Sequence, residues 1–233
     1  MRSIFISREM AQLILLQRNE LLTPFLKKIR KVLGRYLFTN FISKYFISKN
    51  QVGIEYMNLM EYELRSLSKY LSFNDKNILS IGSGLSGLEL SIYKNYKNNF
   101  FSIIEKNYVS QKVVYGWDKN NNEAYNRISL VEKFLIKNGM DENKFKIYNY
   151  DSDNLPENSF DYIISLYSLD YHYDFNLYYE YLKKNFSNKT KIIFDTIRPD
   201  YFKKIFTNVD IINIEENTVH KSKRIICSGL KSN

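Results

Sequence analysis

The chain has 233 residues, 44% hydrophobic and 25% charged, enough for one large domain with a substantial core. No apolar run reaches the ~18 residues of a membrane span, and the single cysteine, Cys227, excludes an intrachain disulfide and fits a reducing, cytoplasmic setting. The net charge of +9 is uneven, with +8 in residues 1–50 and +1 in the remainder.

Residues 8–48 read as helical, with Leu13, Leu16, Leu21, Leu22, Phe25, Ile29, Val32 and Leu33 at mixed spacings, mostly of three and four. Thr23 before Pro24 predicts a helix start, and Gly34 a stop. A second apolar pattern runs from Tyr36 to Ile47. Lys27, Lys28, Arg30, Lys31 and Arg35 lie on or beside the polar face. Such a face is commonly just solvated, on helices packed against the main domain. It also fits a basic amphipathic segment that touches a polyanion or anionic lipid at the inner membrane face. The Met10–Leu16 patch is too short for a span and lacks a small-residue cleavage site, so no signal peptide is expected.

A helix is predicted over 52–72, then a strand over 76–81. The strand stops at Gly82-Ser83-Gly84-Leu85-Ser86-Gly87, and a helix follows over 86–96. Glycines here let the backbone take positive φ and approach a ligand. The helix N-terminus offers free N–H groups and a positive dipole end, which suit an anionic or carboxylate-bearing ligand. A second strand, 100–105, ends in Glu105, placed to accept hydrogen bonds from both hydroxyls of a ribose. A long loop follows, holding Tyr115-Gly116-Trp117-Asp118 and Ala124-Tyr125-Asn126. Its length marks it as a candidate functional loop whose aromatics cover a ligand or simply pack. A helix over 127–138 stops at Gly139. Strands over 145–150, 160–166 and 191–195 alternate with helices at 175–185 and 200–206. Strands at 209–214 and 222–229 close the chain as a hairpin. The alternation predicts an α/β fold with a mostly parallel sheet and an antiparallel edge.

Two ligand classes share a glycine turn with an acid after the second strand, dinucleotides and S-adenosylmethionine. Only one sheet's worth of the given chain follows Lys76, so no second catalytic domain for a hydride acceptor is expected within it. The segment Asp151-Ser152-Asp153-Asn154-Leu155-Pro156-Glu157-Asn158-Ser159-Phe160-Asp161 resembles that of the class I S-adenosylmethionine-dependent methyltransferases. The resemblance covers roughly residues 76–230. It implies a three-layer Rossmann-like seven-stranded sheet with an antiparallel last strand, preceded by N-terminal helices. Together with the uneven charge, the expected organisation is a basic helical extension, 1–50, and a methyltransferase domain, 51–233. It also implies S-adenosylmethionine contacts at Gly82, Ser83 and Gly84 for the methionine moiety, Glu105 for the ribose, and Asp151 and Ser152 for the adenine. The chain departs from the family at Ser80, where an acid is usual, and at Gly87, where the third glycine is displaced behind Ser86. The Tyr115–Trp117 and Ala124–Asn126 pair looks like loops in methyltransferases of surface-polysaccharide pathways. That likeness implies a sugar hydroxyl acceptor.

The tip of the fourth strand, Asp170-Tyr171-His172-Tyr173, lies over the zone where open α/β sheets bind ligands. His172 is the candidate general base, since imidazole titrates near neutral pH; a packing role is the alternative. His220 reads as structural or exposed. Asp170 and Asp174 could hold a divalent metal, but acids at that spacing near a helix start more often serve its cap, so no metal is expected. Tyr167, Tyr171 and Tyr173 are candidate sugar-stacking walls or core. Two other functions fit the residues: RNA methylation, with the basic helices gripping RNA, and a non-catalytic cofactor-binding or membrane-recruited protein. The strand-four tip lacks the Asn/Asp-Pro-Pro-aromatic pattern of amino-group methylases, which counts against RNA.

Overall fold

The computed structural model describes residues 4–110, 124–212 and 222–231. Its helices are α1 (Arg8–Gln17), α2 (Pro24–Leu33), α3 (Arg35–Leu37), α4 (Lys44–Phe46), α5 (Lys49–Leu67), α6 (Gly87–Asn95), α7 (Ile128–Lys137), α8 (Tyr179–Asn185) and α9 (Pro199–Ile205). A π-helical turn, Phe38–Ser43, joins α3 to α4. The strands are β1 (Asn77–Ile81), β2 (Phe100–Glu105), β3 (Phe145–Asn149), β4 (Tyr162–Ser165), β5 (Lys191–Thr196), β6 (Phe206–Ile212) and β7 (Lys223–Leu230).

Local chemistry sets several boundaries. The Thr23 hydroxyl accepts from the Leu26 N–H at the start of α2, and Pro24 holds the first helical position, where no donor is needed. Gly34 ends the helix at φ 79°. Ser7 caps α1 in the same way as Thr23 caps α2.

The strands form one seven-stranded sheet in the order β3-β2-β1-β4-β5-β7-β6. Parallel register pairs Ile78 with Phe101 and with Tyr162, which centres β1 between β2 and β4. The last strand in sequence is antiparallel, as expected, but it is not at the edge. β7 lies between β5 and β6 and pairs antiparallel with both, so β6 takes the edge. Composition explains the choice. β7 buries Arg224, Ile225, Ile226 and Cys227, whereas β6 exposes Asn208 and Asp210. An apolar strand gains most with both its faces and its backbone covered, and a polar one blunts an open edge.

Neighbouring strand residues pack on opposite sides. Ile78, Ile103, Ile164 and Ile193 join α1, α5, α6 and α7 in one apolar cluster. Leu79, Ile104, Ile163 and Ile192 join Phe175, Leu182 and Phe202 in the other. Three layers follow from this period-two alternation. Helix α1 belongs to the first cluster: Met10, Ala11, Leu13, Ile14, Leu15 and Leu16 are all buried. The start of the chain is therefore part of the main core. Cys227 packs in the second cluster, and burial pushes its thiol up, as for a packing residue.

Arg224 sits in this core with no solvent exposure. Its guanidinium pairs with Asp195 on β5 at 3.0 and 3.2 Å and with Glu63 on α5. Burial pulls its pKa down, but Asp195 and Glu63 more than compensate, and it is raised overall. Removing the cation strands two buried carboxylates. We expect Arg224→Met to cost about 3–5 kcal/mol of stability by urea denaturation; a loss below 1 kcal/mol would show that the cluster is open to water.

Candidate active site

The glycine turn leaves β1 at the point where strand order reverses between β1 and β4, the usual ligand crevice of an open α/β sheet. Gly82 and Gly84 have φ of 66° and 65°. A Cβ on Gly82 would collide with the Ser168 hydroxyl, and one on Gly84 would lie 2.6 Å from the Gln17 amide oxygen. Both positions favour glycine by conformation; at Gly82 space adds to this, with the Ser168 Cβ at 2.6 Å, whereas at Gly84 the end of the flexible Gln17 side chain can shift. Gly87 is different. It lies in α6, and a Cβ there would meet the Tyr56 ring at 2.5 Å. The displaced third glycine thus serves the packing of α5 on α6, and Tyr56 Oη accepts the Gly87 N–H. Ser86 takes the left-handed backbone, φ 59°, with its hydroxyl 2.7 Å from that of Ser83.

Glu105 ends β2 beside this turn. One carboxylate oxygen accepts the Gly84 N–H at 2.7 Å and the Ser83 hydroxyl at 3.1 Å. Four of the predicted residues, Gly82, Ser83, Gly84 and Glu105, are thereby brought into one contiguous unit. Burial raises the Glu105 carboxyl to about 7; Asn126, Gly84 and Ser83 pull it back only in part.

Asp151 and Ser152 lie on the turn after β3 and are exposed. Asp151 pairs with Lys106 at 2.6 Å, which ties it to the residue after Glu105. The Ser152 N–H donates to the Asn149 carbonyl. His172 is exposed on the turn after β4, its N–H donating to the Ser168 carbonyl. Its ring meets Tyr171 at 5.1 Å and Tyr125 at 6.4 Å. Tyr167 and Tyr171 contact edge to face. Asp170 and Asp174 share the Arg198 guanidinium at 2.5 and 2.8 Å, and Thr196 also donates to Asp170. Tyr115, Trp117 and His220 lie outside the described residues.

Sequence reading missed several residues that complete the site. Ser80 donates to Glu89, on the first turn of α6, at 2.6 Å. The acid absent from position 80 is thus present in space, supplied from across the turn. Glu89 is 2% exposed, and its second oxygen has no hydrogen-bond partner. Burial raises this carboxyl, and Ser80 and the charge of Arg18 partly offset that. Arg18, just past α1, lies over the Tyr167 ring at 5.1 Å. Asn126 donates to the Gly84 carbonyl at 2.6 Å, and Gln17 donates to the Tyr125 carbonyl. Asn126 is placed by backbone bonds between 108–110 and 124–126, which close the base of the long loop. A charged residue inside an apolar run, Leu88-Glu89-Leu90, was the available signal for Glu89.

No protein-family model matches the chain, and no curated protein does. Solved structures do. The chain is similar to a protein provisionally called an O-methyltransferase from Nostoc punctiforme, with 9% identity and a TM-score of 0.51. That alignment covers 76% of this chain and 58% of the other. It is also similar to precorrin-6y C5,15-methyltransferase from Geobacter metallireducens, with 14% identity, 81% and 92% coverage and a TM-score of 0.45. A third is ribosomal protein L11 methylase from Lactobacillus delbrueckii subsp. bulgaricus, with 12% identity, 75% and 79% coverage and a TM-score of 0.46. At these identities the likeness is one of fold, and of the three the Nostoc alignment carries it: the chain has the Rossmann-like methyltransferase fold.

The Glu105 pKa gives a signed test. A native carboxyl near 7 keeps a proton that the unfolded chain releases near its ordinary 4.5. Its contribution is fully present below pH 4.5 and is lost as pH rises to 7. We expect Glu105→Gln to remove a pH-dependent loss of about 3 kcal/mol, read as the difference between urea-unfolding curves at acid and neutral pH. Parallel curves for the two proteins would contradict this.

Proposed function

We propose that the chain is an S-adenosylmethionine-dependent methyltransferase that methylates a hydroxyl of a sugar or other small acceptor. One observation carries the reading. The sheet order places an antiparallel β7 between β5 and β6, unlike the 3-2-1-4-5-6 order of dinucleotide domains, and the glycine turn and Glu105 sit together at its switch point. The residues fit the ligand: two glycines at positive φ, a buried carboxylate oxygen without a partner, and a buried acid at the β2 tip.

S-adenosylmethionine supplies, when bound, a methyl group on a sulfonium sulfur. The protein binds, orients and removes a proton. Gly82, Ser83 and Gly84 take the methionine moiety. The free oxygen of Glu89 takes its ammonium, and Arg18 its carboxylate, as charge-assisted bonds. Glu105 accepts from the ribose hydroxyls. Asp151, with Ser152 beside it, faces the adenine. His172 takes the proton of the acceptor hydroxyl. Tyr125 and Tyr171, which flank its ring, form the walls for an acceptor. Because Glu105 must be ionised to accept both hydroxyls, cofactor affinity should fall up to about tenfold per pH unit below 7.

Calorimetry should detect binding of S-adenosylmethionine and none of NAD; the reverse would sink the proposal. Transfer of labelled methyl groups to free and lipid-linked glycans then tests the acceptor class. His172→Ala should lower kcat by about 10²–10⁴ with cofactor affinity unchanged, and full turnover would remove His172 as the base. Glu89→Gln and Arg18→Met should each weaken S-adenosylmethionine about tenfold or more while sparing 5′-methylthioadenosine, which lacks the amino-acid end. Equal losses for both ligands would refute the Glu89 and Arg18 roles alone.

A further inference from the structure

Between Glu20 and Glu55 the chain holds seven basic residues and no acidic one. The fold divides that charge by residue type. Arg30 and Arg35 turn inward and donate to the Leu15 and Leu16 carbonyls at the C-terminus of α1, where cations are favoured. Lys27, Lys28, Lys31, Lys44 and Lys49 are exposed.

The same segment exposes apolar side chains. Val32 is 84% exposed, Phe46 72%, Phe25 70% and Tyr45 62%, the four most exposed large hydrophobic residues among those described. On α2, Phe25, Lys28 and Val32 recur at one-turn and two-turn spacing, while Leu26 and Ile29 pack against the core. Leu37, Phe41 and Tyr45 recur at four-residue steps and are also exposed. The Phe41 ring contacts Tyr45 and Phe46 at 5.4 and 6.1 Å. Among the described residues no helix is long and apolar enough to cross a membrane.

Lysines alone would suit any polyanion. Lysines beside exposed aliphatic and phenyl groups suit one with an apolar interior behind its charge. A second copy of this chain would bring the same lysines and be repelled, and a nucleic acid offers no apolar depth for Val32 or Leu37. We infer that residues 24–49 seat the protein on the surface of an anionic phospholipid bilayer. Phe25, Val32, Leu37 and Phe46 enter the headgroup boundary, and Lys27, Lys28 and Lys31 meet lipid phosphates. The seat is joined to the candidate site. Arg35 stacks on Tyr125 at 4.1 Å, and the next residue, Asn126, holds the Gly84 carbonyl.

The test is flotation of the full chain with phosphatidylcholine vesicles, with and without phosphatidylglycerol. Binding should require phosphatidylglycerol and fall as salt rises. The double variant Phe25→Ser/Phe46→Ser should partition about tenfold less or worse. So should Lys27→Gln/Lys28→Gln/Lys31→Gln. Thermal unfolding of both should match the parent, since every altered side chain is exposed. The inference is overturned by no binding to either vesicle, or by equal partitioning of parent and variants. It is also overturned by a solution dimer that the phenylalanine changes dissociate, or by RNA binding with no response to phosphatidylglycerol vesicles. It does not rest on the cofactor reading, which calorimetry tests separately.

Discussion

The buried meeting of Arg224 with Glu63 and Asp195 is the constraint on which the arrangement around the site depends. These side chains come from β7, α5 and β5 and are almost wholly shielded from water. A charge in such a place must be paired and hydrogen-bonded, and the planar guanidinium satisfies two carboxylates at once. The cluster therefore fixes how the first helical layer sits on the sheet. It also reaches the site. Tyr167, at the tip of β4, donates its N–H to Asp195 and has Arg224 against its ring. Arg18 lies over the same ring, so the end of α1 meets the cluster through Tyr167.

The N-terminal segment then divides into two parts with different tasks. α1 is core, and its end brings Gln17 against Gly84 and Arg18 over the Tyr167 ring. The stretch from Pro24 to Lys49 hangs on that end through Arg30 and Arg35, buries Phe38, and turns its lysines and Phe25, Phe41 and Phe46 to solvent. A reading in which all the basic residues act alike loses this distinction. Arginine suits the inward role because its fork can satisfy several carbonyls, and lysine the outward one because its compact charge is best left hydrated.

The acid near the glycine turn shows how a site tolerates an apparent loss. Ser80 has no ionisable group, yet its hydroxyl ties down Glu89, whose carboxyl comes from the facing helix. A carboxyl thus lies beside position 80, borne by a residue nine positions further along the chain.

Much of the fold was legible because its determinants are local. The Thr23-Pro24 start and Gly34 stop of α2, β2 at Phe100–Glu105, and the strand-turn-helix at Gly82 each rest on turn chemistry or periodicity within a few residues. Glu105 could be placed for the same reason, since strand length alone puts it at the tip beside the glycines. The sequence by itself also determined that the sheet is mainly parallel, through the alternation of strand and helix. Tertiary structure alone decided that β7 lies inside β6, that Ser80 holds Glu89, and that Gln17 and Asn126 close on the glycine turn. It alone brought Arg224 to Glu63, 161 residues away. Contacts at that separation are selected by which buried groups must be satisfied together, and no local pattern in the chain records that choice.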